Sequence, residues 1–105
     1  MRFDAGKTKG EDKYSWWLYS SSDTVAWAGE TFPSQSNADR AAEDFKAGAS
    51  TARYEIYADS GGQWRWRAWR SSDKVAASGE SFASKYNAER AAANVRDNAG
   101  TADGP

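Results

Sequence analysis

Trp64-Arg65-Trp66-Arg67-Ala68-Trp69-Arg70 sets aromatic rings and guanidinium groups in alternation. On an extended strand, successive side chains point to opposite faces, so Arg65, Arg67 and Trp69 share one side. A second segment, Tyr14-Ser15-Trp16-Trp17-Leu18-Tyr19, places Trp17 and Tyr19 in matching positions. Rings beside arginines on a sheet can stack bases while the guanidinium groups meet phosphates, with stacking worth roughly 1–3 kcal/mol per base. The same residues can also dock a protein, since Trp and Arg are over-represented among interface hot spots. A third reading needs no ligand. Cross-strand Trp–Arg pairs stabilise a one-layer sheet through cation–π contacts of roughly 0.5–1 kcal/mol at exposed sites.

Other chemistry is sparse. The chain has no cysteine and no histidine. There is therefore no thiolate nucleophile, no disulfide framework, no Cys-based zinc site, and no imidazole for proton transfer near neutral pH. Glu30 and Glu80 occupy equivalent positions, and an approximate two-fold axis would allow them to pair as acid and base or around a divalent cation. Near the start of a helix, each is explained as well by its charge alone. Ser71-Ser72-Asp73-Lys74 matches a Ser-x-x-Lys pattern, but that chemistry needs a helical turn and this segment reads as a hairpin loop. Gly61-Gly62 is followed by no Lys-Ser/Thr and opens no helix, which excludes a phosphate loop. No catalytic residue, metal ligand or cofactor is assigned.

The elements that position these residues occur twice. From Tyr14–Ala52 to Trp64–Ala102 the chain aligns with itself without a gap, and 18 of 39 positions are identical. Each unit is too small to bury much core alone. We read 1–105 as a single intertwined domain, with repeat one at 1–52, repeat two at 53–102 and a short tail at 103–105. Each repeat reads as strand, hairpin, helix. In repeat two, Arg53–Ala58 runs to a turn at Asp59-Ser60-Gly61-Gly62, Trp64–Arg70 follows, and Val75–Ser78 returns after Ser71–Lys74. Repeat one matches, with Lys7–Lys13 as a looser turn one residue longer.

Beyond Gly29-Glu30 and Gly79-Glu80 the period changes from 2 to 3.6. Ala38, Ala41, Ala42 and Phe45, and Ala88, Ala91, Ala92 and Val95, form apolar stripes at helical spacing. Ser34 and Ser84 are placed as N-caps, with Gly48 and Asn98 as left-handed stops. Such narrow stripes suit large aromatic partners, and the identical pair Trp16/Trp66 is the expected core. Two helices cover one sheet face and leave the other open.

Tyr54-Glu55-Ile56-Tyr57, Gly62-Gln63-Trp64-Arg65-Trp66-Arg67, Ser78-Gly79-Glu80-Ser81-Phe82-Ala83-Ser84-Lys85, Asn87-Ala88 and the Ala91–Val95 stripe resemble the YegP-like family of small uncharacterised proteins. The resemblance is weaker in repeat one, where Gln35 stands for Lys85. It implies an α+β fold: tandem β-β-β-α units form one antiparallel sheet with two helices on one face. It also implies strands exchanged between repeats, so that Thr51–Tyr57 closes one unit and opens the next. It implies no activity and no catalytic residues.

Net charge is −1, which argues neither for nor against an acidic partner. The halves differ: residues 1–52 hold 6 basic and 8 acidic side chains, and 53–105 hold 8 and 7. No run approaches 18 apolar residues, so a membrane role is not expected and a cytoplasmic location is. The expected function is a non-catalytic binding or interaction module working as a monomeric pseudo-dimer. An unknown protein partner is expected on Trp17, Tyr19, Arg65, Arg67 and Trp69. Nucleic acid on that same face is the alternative.

Overall fold

The computed structural model describes residues 1–9 and 12–105. Gly10 and Glu11, within the expected Lys7–Lys13 turn, lie outside the described residues. The elements run β1 (Arg2–Lys7), β2 (Tyr14–Ser20), β3 (Asp23–Trp27), α1 (Gln35–Gly48), β4 (Arg53–Ala58), β5 (Trp64–Arg70), β6 (Asp73–Ser78) and α2 (Lys85–Asn98), with a last 3₁₀ turn at Ala99–Thr101. All strand pairs are antiparallel in one six-stranded sheet of order β1-β2-β3-β6-β5-β4.

Local chemistry explains each element. The β4–β5 turn is tied by Asp59, whose Oδ1 accepts from the N–H groups of Gly61 (2.9 Å) and Gln63 (3.0 Å), an Asx-type turn. The β2–β3 and β5–β6 hairpins close over two residues, because Ser20 pairs with Asp23 and Arg70 with Asp73. β6 therefore begins at Asp73, two residues before the expected start. Leu18 pairs with Ala26 but Tyr19 with Thr24, and Ala68 pairs with Ala76 but Trp69 with Lys74. Val25 and Val75 are left over as bulges, which increase local twist, and both pack against the core. Ser34 and Ser84 cap their helices by accepting from the Asn37 and Asn87 N–H groups at 3.2 and 3.1 Å.

The expected left-handed stops are corrected. Neither Gly48 nor Asn98 has positive φ, and both helices continue through right-handed Ala49 and Ala99. A Cβ at Gly48 would sit 2.5 Å from Arg70 Nη2, the tip of a flexible side chain that an added methyl displaces at little cost. Asn98 instead donates its side-chain amide to the Asn94 carbonyl at 2.9 Å.

The core lies between the helices and one sheet face. Trp16 and Trp66 are both 0 % exposed, as are Ala38, Ala42, Ala88 and Val95. In repeat one Trp16 stacks on Phe45 (5.2 Å between centroids, 18°), and Phe3 meets Trp16 edge-on at 5.5 Å. In repeat two Val95 replaces Phe45, and Tyr54 tilts against Trp66 at 5.6 Å. The Tyr54 hydroxyl reaches back to the Ala49 carbonyl at 2.8 Å. Burial holds that phenol well above its ordinary value of 10.0, so it remains a donor.

The expected exchange of Thr51–Tyr57 is also corrected. β4 pairs with β5 alone, at the sheet edge farthest from β1 in strand order. The connection after α1 is only four residues long, and its first bonds are local, from the Thr51 and Ala52 N–H groups to Gly48. What joins the halves is a short seam, Ala26 opposite Ser78 and Trp27 opposite Ala77. The tail adds a second link. Phe3 N–H donates to Asp103 at 2.8 Å, Asp103 N–H donates to Met1 at 3.0 Å, and Lys46 Nζ donates to the Gly104 carbonyl at 3.2 Å.

Two stability tests follow from this packing. Trp66→Ala should cost about 3–5 kcal/mol in urea unfolding, as large-to-small aromatic changes in cores do; a loss below about 1 kcal/mol contradicts the assigned face. At the seam, a methyl group on Gly79 would collide with the Thr24 carbonyl. Gly79→Ala should therefore destabilise by about 1–3 kcal/mol, and an unchanged melting temperature would show that the seam yields freely.

Candidate functional site

On the sheet side opposite the helices, one row of side chains crosses all six strands. Register places Asp4 opposite Trp17, Trp17 opposite Trp27, Trp27 opposite Ala77, Ala77 opposite Arg67, and Arg67 opposite Glu55. Tyr19 and Trp69 lie one row away, two residues along β2 and β5. Trp17, Tyr19, Arg65, Arg67 and Trp69 are all half-buried. The only large hydrophobic side chain that is exposed outright, among the described residues, is Tyr86 at 65 %.

Repeat two uses its open-face residues on one another. The Arg67 guanidinium lies 4.4 Å from the Tyr57 ring centroid and 5.5 Å from that of Trp69. Its Nε donates to Glu55 Oε1, which also accepts from Trp69 Nε1 at 3.1 Å. The Arg53 guanidinium lies 5.7 Å from the Trp69 ring centroid. Arg65 is engaged separately, its Nε donating to Asp59 Oδ2 at 3.0 Å. The two arginines expected to meet a ligand thus already face carboxylates.

These pairings set the charge states. The hydrogen bond from Arg67, then that from Trp69, holds the Glu55 carboxyl below its ordinary value of 4.5. The hydrogen bond from Arg65, followed by the Gln63 N–H, does the same for Asp59 relative to 3.8. The Glu55 bond in turn raises Arg67 further.

Repeat one is arranged differently. Trp17 occupies the place of Arg67, Tyr19 that of Trp69, Asp4 that of Glu55 and Gly6 that of Tyr57, by their partners across the β1–β2 and β4–β5 ladders. Arg2 lies over Tyr19 at 4.7 Å. Ser15, two residues before Trp17 on β2, is buried with its hydroxyl donated to the Glu30 carbonyl at 2.9 Å. The structure brings Arg67 and Trp69 into one cluster and leaves Arg65 in the hairpin. Trp17 and Tyr19 stand in the other half.

Four members of the face, Asp4, Trp27, Glu55 and Tyr57, are not among the sequence candidates. The repeat alignment begins only at Tyr14, so β1 and β4, which carry Asp4, Glu55 and Tyr57, fall outside it; Trp27 lies within it on β3 but aligns with Ala77, so the repeat does not mark it. Extending the alternation into these edge strands at an offset of 51 pairs Asp4 with Glu55.

On the helix side, a cleft of about 410 Å³ lies between α1 and the β5–β6 hairpin, with Glu30, Asp44, Arg70 and Lys74 on its walls. Arg70 Nη2 donates to the Asp44 carbonyl at 2.8 Å, supporting the last turns of α1. Glu30 lines this cleft and Glu80 does not, so the two glutamates share no pocket there. No group of three metal-ligating side chains is found among the described residues. Ser71 sits at positive φ (55°) in the two-residue turn and Lys74 on β6, so Ser-x-x-Lys is a hairpin.

Two solution NMR structures share this architecture. A UPF0339 protein from Shewanella oneidensis superposes with TM-score 0.79 at 14% identity, covering 97% of this chain and 86% of its own. The protein of unknown function yegP from E. coli gives TM-score 0.79 at 17% identity, covering 97% and 88%. The fold is YegP-like. No family model matches the sequence, and no curated protein matches it. In this YegP-like sheet, no helix among the described residues is long and apolar enough to cross a membrane.

Acid titration tests the Glu55 and Asp59 pairings. A carboxyl whose pKa is lowered on folding stabilises the fold fully above its unfolded value, and that contribution is lost as pH falls through the folded one. The urea midpoint should therefore drop as the pH is taken below 4.5. Glu55→Gln should lower the midpoint at pH 7 and flatten the acid limb. An acid limb identical to wild type would show that the Arg67 pairing contributes nothing.

Proposed function

We propose that this chain is a non-catalytic binding module that docks a protein partner on its open sheet face, with the Trp17 half as the contact. The observation that supports this most directly is the contrast between the two halves of one row. Arg67, Trp69 and Glu55 are engaged with each other, whereas Trp17 and Trp27 stand side by side with only Asp4 and Ala77 flanking them in register. Half-buried indoles on a flat face can contribute much to an interface. A non-catalytic reading agrees with the absence of histidine and cysteine. We take the chain to act in the cytoplasm as a monomer whose tandem units mimic a dimer.

Protein contact is favoured over nucleic acid because phosphate recognition needs cations free to meet it. Arg65 and Arg67 face Asp59 and Glu55 instead. The reading is tested with Trp17→Ser, Trp69→Ser and the double variant. Trp17→Ser should keep most of its melting temperature and lose the partner recovered from nuclease-treated lysate. Trp69→Ser should lose stability, by about 1–2 kcal/mol for its cation–π contacts and hydrogen bond. Unfolding of Trp17→Ser would make the whole face structural. Salt-dependent binding of wild type to single-stranded nucleic acid, tighter than roughly 10⁻⁴ M, would favour the alternative.

A further inference from the structure

We propose that the Trp17 half of the open face receives an arginine side chain from the partner, its guanidinium laid on the Trp17–Trp27 indoles and paired with Asp4. The proposal rests on the reading of this face as a protein-docking surface and names the group that docks there.

The template is inside the molecule. Repeat two assembles a carboxylate, two rings and one guanidinium: Glu55, Tyr57, Trp69 and Arg67, with the guanidinium near both rings and hydrogen-bonded to the carboxylate. At the equivalent positions, repeat one keeps the carboxylate as Asp4 and an aromatic as Tyr19. It replaces Arg67 by Trp17, and it adds Trp27 where repeat two has Ala77. The acid and one of the two rings are retained, Gly6 stands where Tyr57 does, the indoles of Trp17 and Trp27 are new, and the cation is gone.

No basic group among the described residues lies within 4.0 Å of the Asp4 carboxylate. The cation nearest along the strand, Arg2, is placed over Tyr19. Asp4 is exposed and Trp17 and Trp27 are half-buried, so the acid and the indoles are reachable from solvent. Indole is the ring that attracts cations best, and arginine the cation found over it most often. A guanidinium is planar and always charged, and it can stack and hydrogen-bond to a carboxylate at once, whereas an ammonium is a more strongly hydrated point charge. The carboxylate also disfavours a phosphate at the same place.

The test is a titration of the full chain with acetyl-Gly-Gly-Arg-Gly-Gly-amide, followed at the six tryptophan indole N–H signals by NMR. The Trp17 and Trp27 signals should shift saturably while those of buried Trp16 and Trp66 stay still. The citrulline peptide, isosteric and uncharged, should produce no saturable shift. Asp4→Asn, with melting temperature unchanged, should weaken the arginine peptide about three- to fivefold, as should Trp17→Leu. Equal shifts with citrulline, equal affinity for the lysine peptide, indifference to Asp4→Asn, or shifts confined to Trp69 would each overturn the proposal. A partner protein that needs Trp17 but binds Asp4→Asn as tightly as wild type would overturn it while leaving the docking face in place.

Discussion

The constraint on which the rest of the fold depends is the close seating of two helices on two fully buried tryptophans. Alanine at the helix positions facing the sheet keeps each helix surface low, so an indole fits beneath without a void. Trp16 and Trp66 carry the largest wholly buried side chains. A bulkier stripe would lift the helix off the sheet, and a smaller ring would leave a cavity. Repeat one fills its remaining space with Phe3 and Phe45, whereas repeat two does so with Tyr54 and Val95. Tyr54 also commits its hydroxyl to the end of α1. Trp66 Nε1 has no hydrogen-bond partner among the described residues, a cost accepted where the indole's apolar bulk dominates.

Because both helices are committed to that face, the other must be stabilised without a second layer. Repeat two solves this within the sheet, by a ladder of rings and guanidinium groups neutralised by Glu55. Repeat one presents a broader aromatic surface and a carboxylate, Asp4, with no basic group within 4.0 Å among the described residues. Along the open-face row the two units differ at Asp4/Glu55, Trp17/Arg67 and Trp27/Ala77; in the core Trp16/Trp66 and Ala26/Ala76 are unchanged, while Phe3/Tyr54, Leu18/Ala68 and Phe45/Val95 differ. In the core a volume change is felt by every packed neighbour, and those three pairs differ together. On the open face a substitution alters only its cross-strand neighbours.

Much of this arrangement is legible in the order of the residues. Strand alternation places Trp16 and Trp66 inside, and the period of 3.6 places Ala38–Phe45 and Ala88–Val95 against them. Ser34 and Ser84 are readable as caps because a short hydroxyl ahead of an amphipathic run has a definite partner in the backbone. Gly48 reads as a helix stop, yet α1 runs on through Ala49 and the side chain beside Gly48 is that of Arg70, 22 positions later in the chain. The Thr51–Tyr57 exchange misleads for a similar reason, since sequence order does not say which edge a strand will join. Arg65 and Arg67 look free because their partners, Asp59 and Glu55, lie on a different strand or in a turn.

By itself the amino-acid sequence determined the repeat, the element types, the buried faces and the absence of thiol and imidazole chemistry. Those properties are local or periodic, set by side-chain spacing against a backbone of known rise. Tertiary structure alone decided the strand order, the two-residue seam at Ala26–Trp27 and Ser78–Ala77, and the fate of each arginine. These depend on registers between strands distant in sequence, where a shift of one residue reverses which side chains meet. For the same reason, an offset of 51 pairs Asp4 with Glu55 in sequence, but their place in one row with Trp17 and Arg67 is set only by the seating of β1 and β4 on their neighbours.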